Sequence, residues 1–177
     1  MNNNTENNMS LRRARRKAKI QEELTRYGSD ILNSEEMSEA FRQKHHARAT
    51  VGDHTIRVAK ASLAICHALD KLHIKTDTSA VVTGSLCHDL GILGREQKYS
   101  SVKECSRQHP VESVALAQSL VKDLPDKTSD IIERHMWPLG KCKFPNSLEG
   151  VIVSTADKYA AIKDLIQGRN TGDGALC

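Results

Sequence analysis

The sequence predicts an all-α fold, a single helical bundle, and three observations lead there. Apolar residues recur at helical spacing in successive segments, as in Ile56, Ala59, Leu63, Cys66 and Leu69. Aromatic residues make up only 3% of the chain, so Leu, Ile, Val and Ala must do the packing. Ten Gly and four Pro are too few for the many turns of an all-β chain. A length of 177 residues suits one domain with a sizeable core. No internal repeat is visible.

Residues 1–10 are Asn-rich and polar and read as a disordered tail. Ser10 is a candidate cap for a helix from Leu11 to about Tyr27, which Gly28 is expected to break. Its first half, LRRARRKAKI, holds six basic residues and most of the excess behind a net charge of +4. A patch for nucleic acid or anionic lipid is one reading of it. Leu11, Ala14, Ala18 and Ile20 are too small and too few for a membrane helix. The reading adopted is a solvated, partly packed helix, with neither a nucleic acid nor a membrane as partner. Ser34 starts a short helix with acidic residues in its first turn.

Asp53 is a candidate cap for a helix from His54 to about Leu72. Thr76 or Thr78 opens the central helix, whose residues Ala80, Val81, Val82, Leu86 and Cys87 leave no polar face. Such a helix is normally buried. His88 and Asp89 emerge at its end, and Gly91 suits a left-handed closing position. Arg95 to Gln108 reads as irregular, and Pro110 as the first turn of a helix reaching Leu120. Asp126, Thr128 or Ser129 caps the next helix, which must stop by Pro138. Ser147 caps the last, with Val151, Ile152, Ala156, Ala160, Ile162 and Leu165 on its apolar face. The domain reading is 1–10 tail, 11–49 N-terminal helical extension, 50–166 helical metal-binding domain and 167–177 flexible tail.

Five cysteines (66, 87, 105, 142, 177) form no CxxC pair. An odd, scattered set reads as reduced thiols in the cytoplasm. There is no apolar run of ~20 residues to span a membrane, and no signal-peptide core near Met1.

Six residues stand out as candidate metal ligands: His54, His88, Asp89, His109, His135 and Asp157. Counting the His88-Asp89 pair from its His, the gaps are 34, 21, 26 and 22 residues, each about one helix plus a loop. One ligand group then falls on each successive helix, as metal sites in helical bundles are built. Asp157 lies in an apolar stretch, where a carboxylate is costly unless paired or metal-bound. His67 falls on the face opposite His54, and His73 follows the helix end. His45 and His46 precede the helix, although they can still approach the site.

The segments GDHTIRVA, LCHDLGILGR, RQHPVESVALAQ, ERHMWPLGKCKFP and VSTADKYAA, in this order, resemble the HD-domain metal-dependent phosphohydrolases. The resemblance runs from about Thr50 to Leu165 and leaves the N-terminal helix outside, to pack on or extend from the bundle. It implies an all-α bundle of five or more helices. It also implies that His54, His88, Asp89 and Asp157 bind a first metal, with Asp89 bridging to a second completed by His109 and His135. The implied activity is phosphoester hydrolysis with a metal-bridging hydroxide as nucleophile, on a nucleotide or another small phosphorylated metabolite. The same ligand set also serves mixed-valent di-iron oxygenases of this superfamily, and a slow nucleotide-binding sensor is a third reading. The GYP motif and paired histidines of the cyclic-dinucleotide branch are absent, so that substrate is not supported. The usual Lys after HDxG is replaced by the run ending in Arg95.

Mixed His and Asp ligation favours Fe, Mn, Co, Ni or Zn over Mg, as one or two ions. Arg57, one turn after His54, is a candidate phosphate contact together with Arg95 and Lys158. Lys158 and Asp89 are the candidate catalytic residues. Trp137 is a candidate wall for the substrate pocket. The substrate's identity is not legible, and the oligomeric state is open, a homodimer included.

Overall fold

The computed structural model describes residues 3–45, 49–139 and 142–169. Among them lie eight α-helices and no β-strand; the only ladder contact is an isolated antiparallel bridge between Lys44 and Thr50. The helices are α1 (Asn3–Leu32), α2 (Glu35–Ala40), α3 (Val51–Asp70), α4 (Thr78–Cys87), α5 (Arg95–Lys98), α6 (Val102–Leu120), α7 (Asp126–Arg134) and α8 (Leu148–Arg169). A 3-10 turn, Leu90–Ile92, follows α4. The all-α expectation holds.

Helix α4 is the axis of the bundle. Every residue from Ala80 to Cys87 is buried, and α1, α3, α6, α7 and α8 all pack on it. This is the helix whose sequence lacks a polar face, and only a central position hides it on all sides. Asp77 caps it, its side chain accepting from the Ala80 N–H.

Several boundaries differ from the sequence expectation, each for a local reason. α1 begins at Asn3, inside the segment expected to be disordered, and runs through Gly28 to Leu32. Gly28 does not break it. A Cβ there would lie 2.4 Å from Leu86 Cδ1, so the missing side chain lets α1 lie directly on α4. Leu24 and Ile31 of α1 belong to the buried core, so this half of the helix packs on the bundle. Thr50, not Asp53, caps α3. Asp53 is the third helical residue of a capping box, its carboxylate accepting from Thr50. Ser101 caps α6, which starts a full turn and more before Pro110. Pro110 sits inside this helix, lacking only the N–H that would reach the Ser106 carbonyl. Ser147 does cap α8, accepting from the Gly150 N–H. Residues 170–177, most of the expected C-terminal tail, lie outside the described residues.

Gly91 does not take the left-handed position; Gly94 does, at φ 69°. Gly91 is required for a different reason. A Cβ on it would fall 2.2 Å from the His109 carbonyl oxygen and 2.8 Å from the Ser113 nitrogen. Its own N–H donates to Ser113 Oγ at 2.9 Å and its carbonyl accepts from the Tyr99 hydroxyl. The turn after α4 is thereby pressed onto α6, which sets the distance between Asp89 and His109.

Candidate metal centre

The six sequence-predicted ligands converge on one place. His54, His88, Asp89, His109 and His135 are at most 4% exposed and Asp157 8%. They arrive from α3, the end of α4, the middle of α6, the end of α7 and α8. His109 is thus in a helix interior, not at a helix start.

Three of the histidines have their tautomers fixed by the backbone. His88 Nδ1 donates to the Ser85 carbonyl at 2.7 Å, His109 Nδ1 to Cys105 at 2.8 Å and His135 Nδ1 to Ile132 at 2.7 Å. A carbonyl oxygen only accepts, so each Nδ1 carries hydrogen and each neutral ring presents a lone pair at Nε2. All three Nε2 atoms face Asp89: His88 at 3.3 Å from Oδ2, and His109 and His135 each at 3.4 Å from Oδ1. The two oxygens of Asp89 therefore serve two separate groups. Oδ1 joins His109 and His135; Oδ2 faces His88 and, at 3.8 Å, His54 Nε2. Asp157 Oδ1 lies 3.0 Å from His54 Nε2 and 3.8 Å from His88 Nε2.

Charge is concentrated here to an extent that only compensation permits. Burial opposes ionisation of Asp89, yet His88, His109 and His135 hold it well below the usual carboxylate range. Burial likewise opposes ionisation of Asp157, and contact with His54 outweighs it, so this carboxyl is also driven down. Burial disfavours a charged His54, but Asp157 and Asp164 outweigh it and raise its pKa to about 9. His109 is raised to about 10 against the same penalty, chiefly by Asp89. His135, fully enclosed and beside two other rings, is lowered.

The residues fit divalent metal ions. His88 Nε2 is buried and makes no hydrogen bond. His109 Nε2 and His135 Nε2 stand 3.1 Å apart. Two nitrogens bound to one ion at ~2.0–2.1 Å are separated by about 3 Å. The donors form two sets, each able to gather around one point: His54, His88 and Asp157, and Asp89, His109 and His135.

Two further residues belong to the site and were not among the predicted ligands. His45, in the segment after α2, forms a third candidate set with His54 and Asp89. Its Nε2 is 3.5 Å from Asp89 Oδ2 and its ring centroid 4.7 Å from that of His54. Gln43 pins this segment, donating to the Ile92 carbonyl at 2.9 Å and accepting from the Gly94 N–H at 2.7 Å. Asp164 is 3% exposed, and its Oδ2 receives His54 Nδ1 at 3.1 Å. A carboxylate behind a ligating imidazole orients the ring and raises its basicity. Asp164 lies two helical turns after Asp157 on the same face of α8, a spacing visible in the sequence.

A cavity of about 290 Å³ opens onto Asp89, His109 and Asp157. Arg95 and Lys158 line it, with Ile92, Val102, Met136 and Leu139 on its apolar side. Lys158 Nζ donates to Asp157 Oδ2 at 2.9 Å and to the His135 carbonyl. The other two predicted substrate contacts are placed elsewhere. Arg57 Nε pairs with Asp164 Oδ1 at 2.8 Å. Trp137 packs edge-on against Phe144, with centroids 4.9 Å apart. Neither residue lines this cavity. His67 pairs with Glu23 at 2.7 Å between α3 and α1.

No curated protein and no solved structure matches the chain significantly. The family model of the HD domain matches residues 51–162, a stretch that carries all six converging ligands. The chain belongs to the HD domain family.

Proposed function

We propose that the chain is a metal-dependent phosphohydrolase that cleaves a small phosphoester, a nucleotide or another phosphorylated metabolite. The observation that carries this reading is the cavity, where an electronegative wall of two carboxylates meets two cations on different elements. Arg95 makes no ion pair among the described residues and is available to a phosphate oxygen. Lys158 spends two of its three donors on Asp157 and His135 and keeps one. Bound divalent ions would supply a nucleophile at neutral pH and neutralise charge on the phosphoryl group.

The remaining work falls to the chain. Among the described residues Asp89 is the one group whose two oxygens address both donor sets, which suits it to balance the charge of both ions. Asp164 holds the His54 ring, and the carbonyls of Ser85, Cys105 and Ile132 hold the other three, each with Nε2 aimed inward. The apolar side of the cavity excludes water from the reacting phosphoester. A donor set dominated by imidazole favours Fe, Mn, Co, Ni or Zn over Mg. The free thiols Cys66, Cys87, Cys105 and Cys142 suit a reducing compartment, and we place the protein in the cytoplasm. Among the described residues no helix is long and apolar enough to cross a membrane.

A panel of phosphomonoesters and nucleotides, assayed anaerobically in each of these metals, tests the proposal. Release of phosphate or of a nucleoside product without oxygen supports it. Turnover that requires oxygen and leaves phosphoesters intact points to the di-iron oxygenase reading instead.

A further inference from the structure

The basic first half of α1 is exposed on every side. Each residue from Asn7 to Lys19 is solvent-exposed, and the packing of this helix falls on its second half, at Leu24 and Ile31. It carries Arg12, Arg13, Arg15, Arg16, Lys17 and Lys19 with no acidic residue between them. Arg12, Arg13, Arg15 and Lys17 make no ion pair among the described residues. Lys19 reaches Glu23 only at 3.8 Å, and Arg16 donates to the Ala64 carbonyl of α3 at 3.4 Å. A helix polar all round and loaded with one sign of charge is weakened by its own repulsion.

This half-helix also forms a cleft with α3. The cleft, about 660 Å³, is larger than the metal-site cavity and shares none of its lining residues. Four arginines and Lys19 form one wall, and His67 and Lys71 stand on the other. Asp70 at its edge is already paired with Lys75 at 2.6 Å. Glu23 serves His67 and, at 3.8 Å, Lys19, so the uncompensated charge of the cleft lies on its arginines, which make no ion pair among the described residues.

We propose that this surface binds the sugar-phosphate backbone of a nucleic acid. At 3.6 residues per turn, Arg12, Arg13, Arg15, Arg16, Lys17 and Lys19 cover an arc of about 200°. They extend over roughly 10 Å of helix axis. A row of cations this wide and this long meets several successive phosphates, whereas one phosphorylated metabolite could engage only two or three of them. A lipid surface is a poorer match. The face opposite the arc offers only Leu11, Ala14 and Ala18 to a bilayer. No base-reading group is assigned, so the contact is with the backbone and independent of sequence. The proposal concerns binding and does not rest on the activity of the metal centre.

The whole 177-residue chain is titrated into a fluorescein-labelled DNA duplex and, separately, a labelled single strand, with anisotropy read at several salt concentrations. The expected result is binding to at least one probe that weakens linearly in log–log form, with a slope of about 0.9 per phosphate engaged for the duplex and about 0.7 for the single strand, and four or more phosphates in all. Replacing Arg12, Arg13, Arg15 and Arg16 together by Gln is expected to weaken binding more than about tenfold and flatten the salt dependence. The same four positions as Lys keep it. Helix content by circular dichroism confirms that the Gln variant is folded. Absence of binding to both probes at low salt overturns the proposal, as does binding unchanged in the Gln variant. So does binding confined to phosphatidylserine vesicles, which would make the surface a lipid contact.

Discussion

His109 Nε2 lies 3.1 Å from His135 Nε2, while each ring gives its Nδ1 hydrogen to a carbonyl of its own helix. Two lone pairs cannot face each other at that distance without a positive charge between them. Asp89 raises His109 to about 10 against its burial, and burial lowers His135, so without a metal a proton on His109 Nε2 would meet the His135 lone pair. A divalent ion bound to both nitrogens would take the place of that proton.

Metal binding should therefore be strongly pH-dependent. His54 and His109 keep their protons up to about 9 and about 10 in the metal-free chain. Their folded-state values are raised, so the stability they contribute is complete below the unfolded value of about 6.5 and is lost as pH rises through 9 to 10. Metal ligation runs the other way. It requires unprotonated Nε2 atoms, so affinity should climb with pH until it levels off above about 9 to 10, and binding at neutral pH should release about two protons. Calorimetry in two buffers of different ionisation enthalpy reads this directly; a binding heat identical in both would contradict it.

Asp164→Asn keeps the shape behind His54 but removes the charge that orients its ring and pairs with Arg57. Metal affinity is expected to fall by about 10–100-fold, with the fold intact. An affinity equal to wild type by competition with a chromogenic chelator would show that Asp164 does not support the ligand.

His45→Ala tests whether the segment after α2 contributes a donor. With Nε2 3.5 Å from Asp89 Oδ2, the imidazole is expected to strengthen binding of the ion at His54. Removing it should weaken metal binding by more than about tenfold and change the absorption spectrum of the cobalt-substituted protein. A cobalt spectrum superimposable on wild type would leave His45 outside the coordination sphere.

Gly91→Ala places a methyl group against the backbone of α6, where no flexible side chain can yield. A loss of about 2 kcal/mol or more is expected, together with weaker metal binding as His109 moves from Asp89. Thermal unfolding and metal titration of the same sample check both; a stable variant with native affinity would show that the contact does not set the site.

Much of the centre was legible because helical periodicity carries it. The polar-free α4 announces a buried axis, and ligands one helix apart announce a bundle-type site. What was missed depended on contacts between segments distant in sequence. Gly91 looked like a left-handed cap because its local sequence allows one, whereas its position is required by α6, some twenty residues on. Pro110 looked like a helix start because the Ser101 cap lies nine residues earlier in a stretch without a strong apolar stripe. His45 is brought to the site by Gln43 bonding to the turn after α4 and by backbone bonds to residues 49–51, which no periodicity announces. Arg57 and His54 share one face of α3, but that face meets Asp164 and not the cavity. Asp164 could have been found, since its spacing from Asp157 repeats the same face of α8.

Counting metal in the whole 177-residue chain purified without chelator, for wild type and Asp89→Asn side by side, tests the two-ion centre most directly. Among the described residues Asp89 is the only carboxylate whose oxygens address both donor sets, and its amide cannot balance two dications. His67→Gln, away from the centre, is the matched control. Two ions per wild-type chain and per His67→Gln chain, and one or none in a folded Asp89→Asn chain with phosphoesterase turnover reduced by several orders of magnitude, is the expected result. A wild-type chain that saturates with one ion, or an Asp89→Asn chain that holds as much metal as wild type, would contradict it.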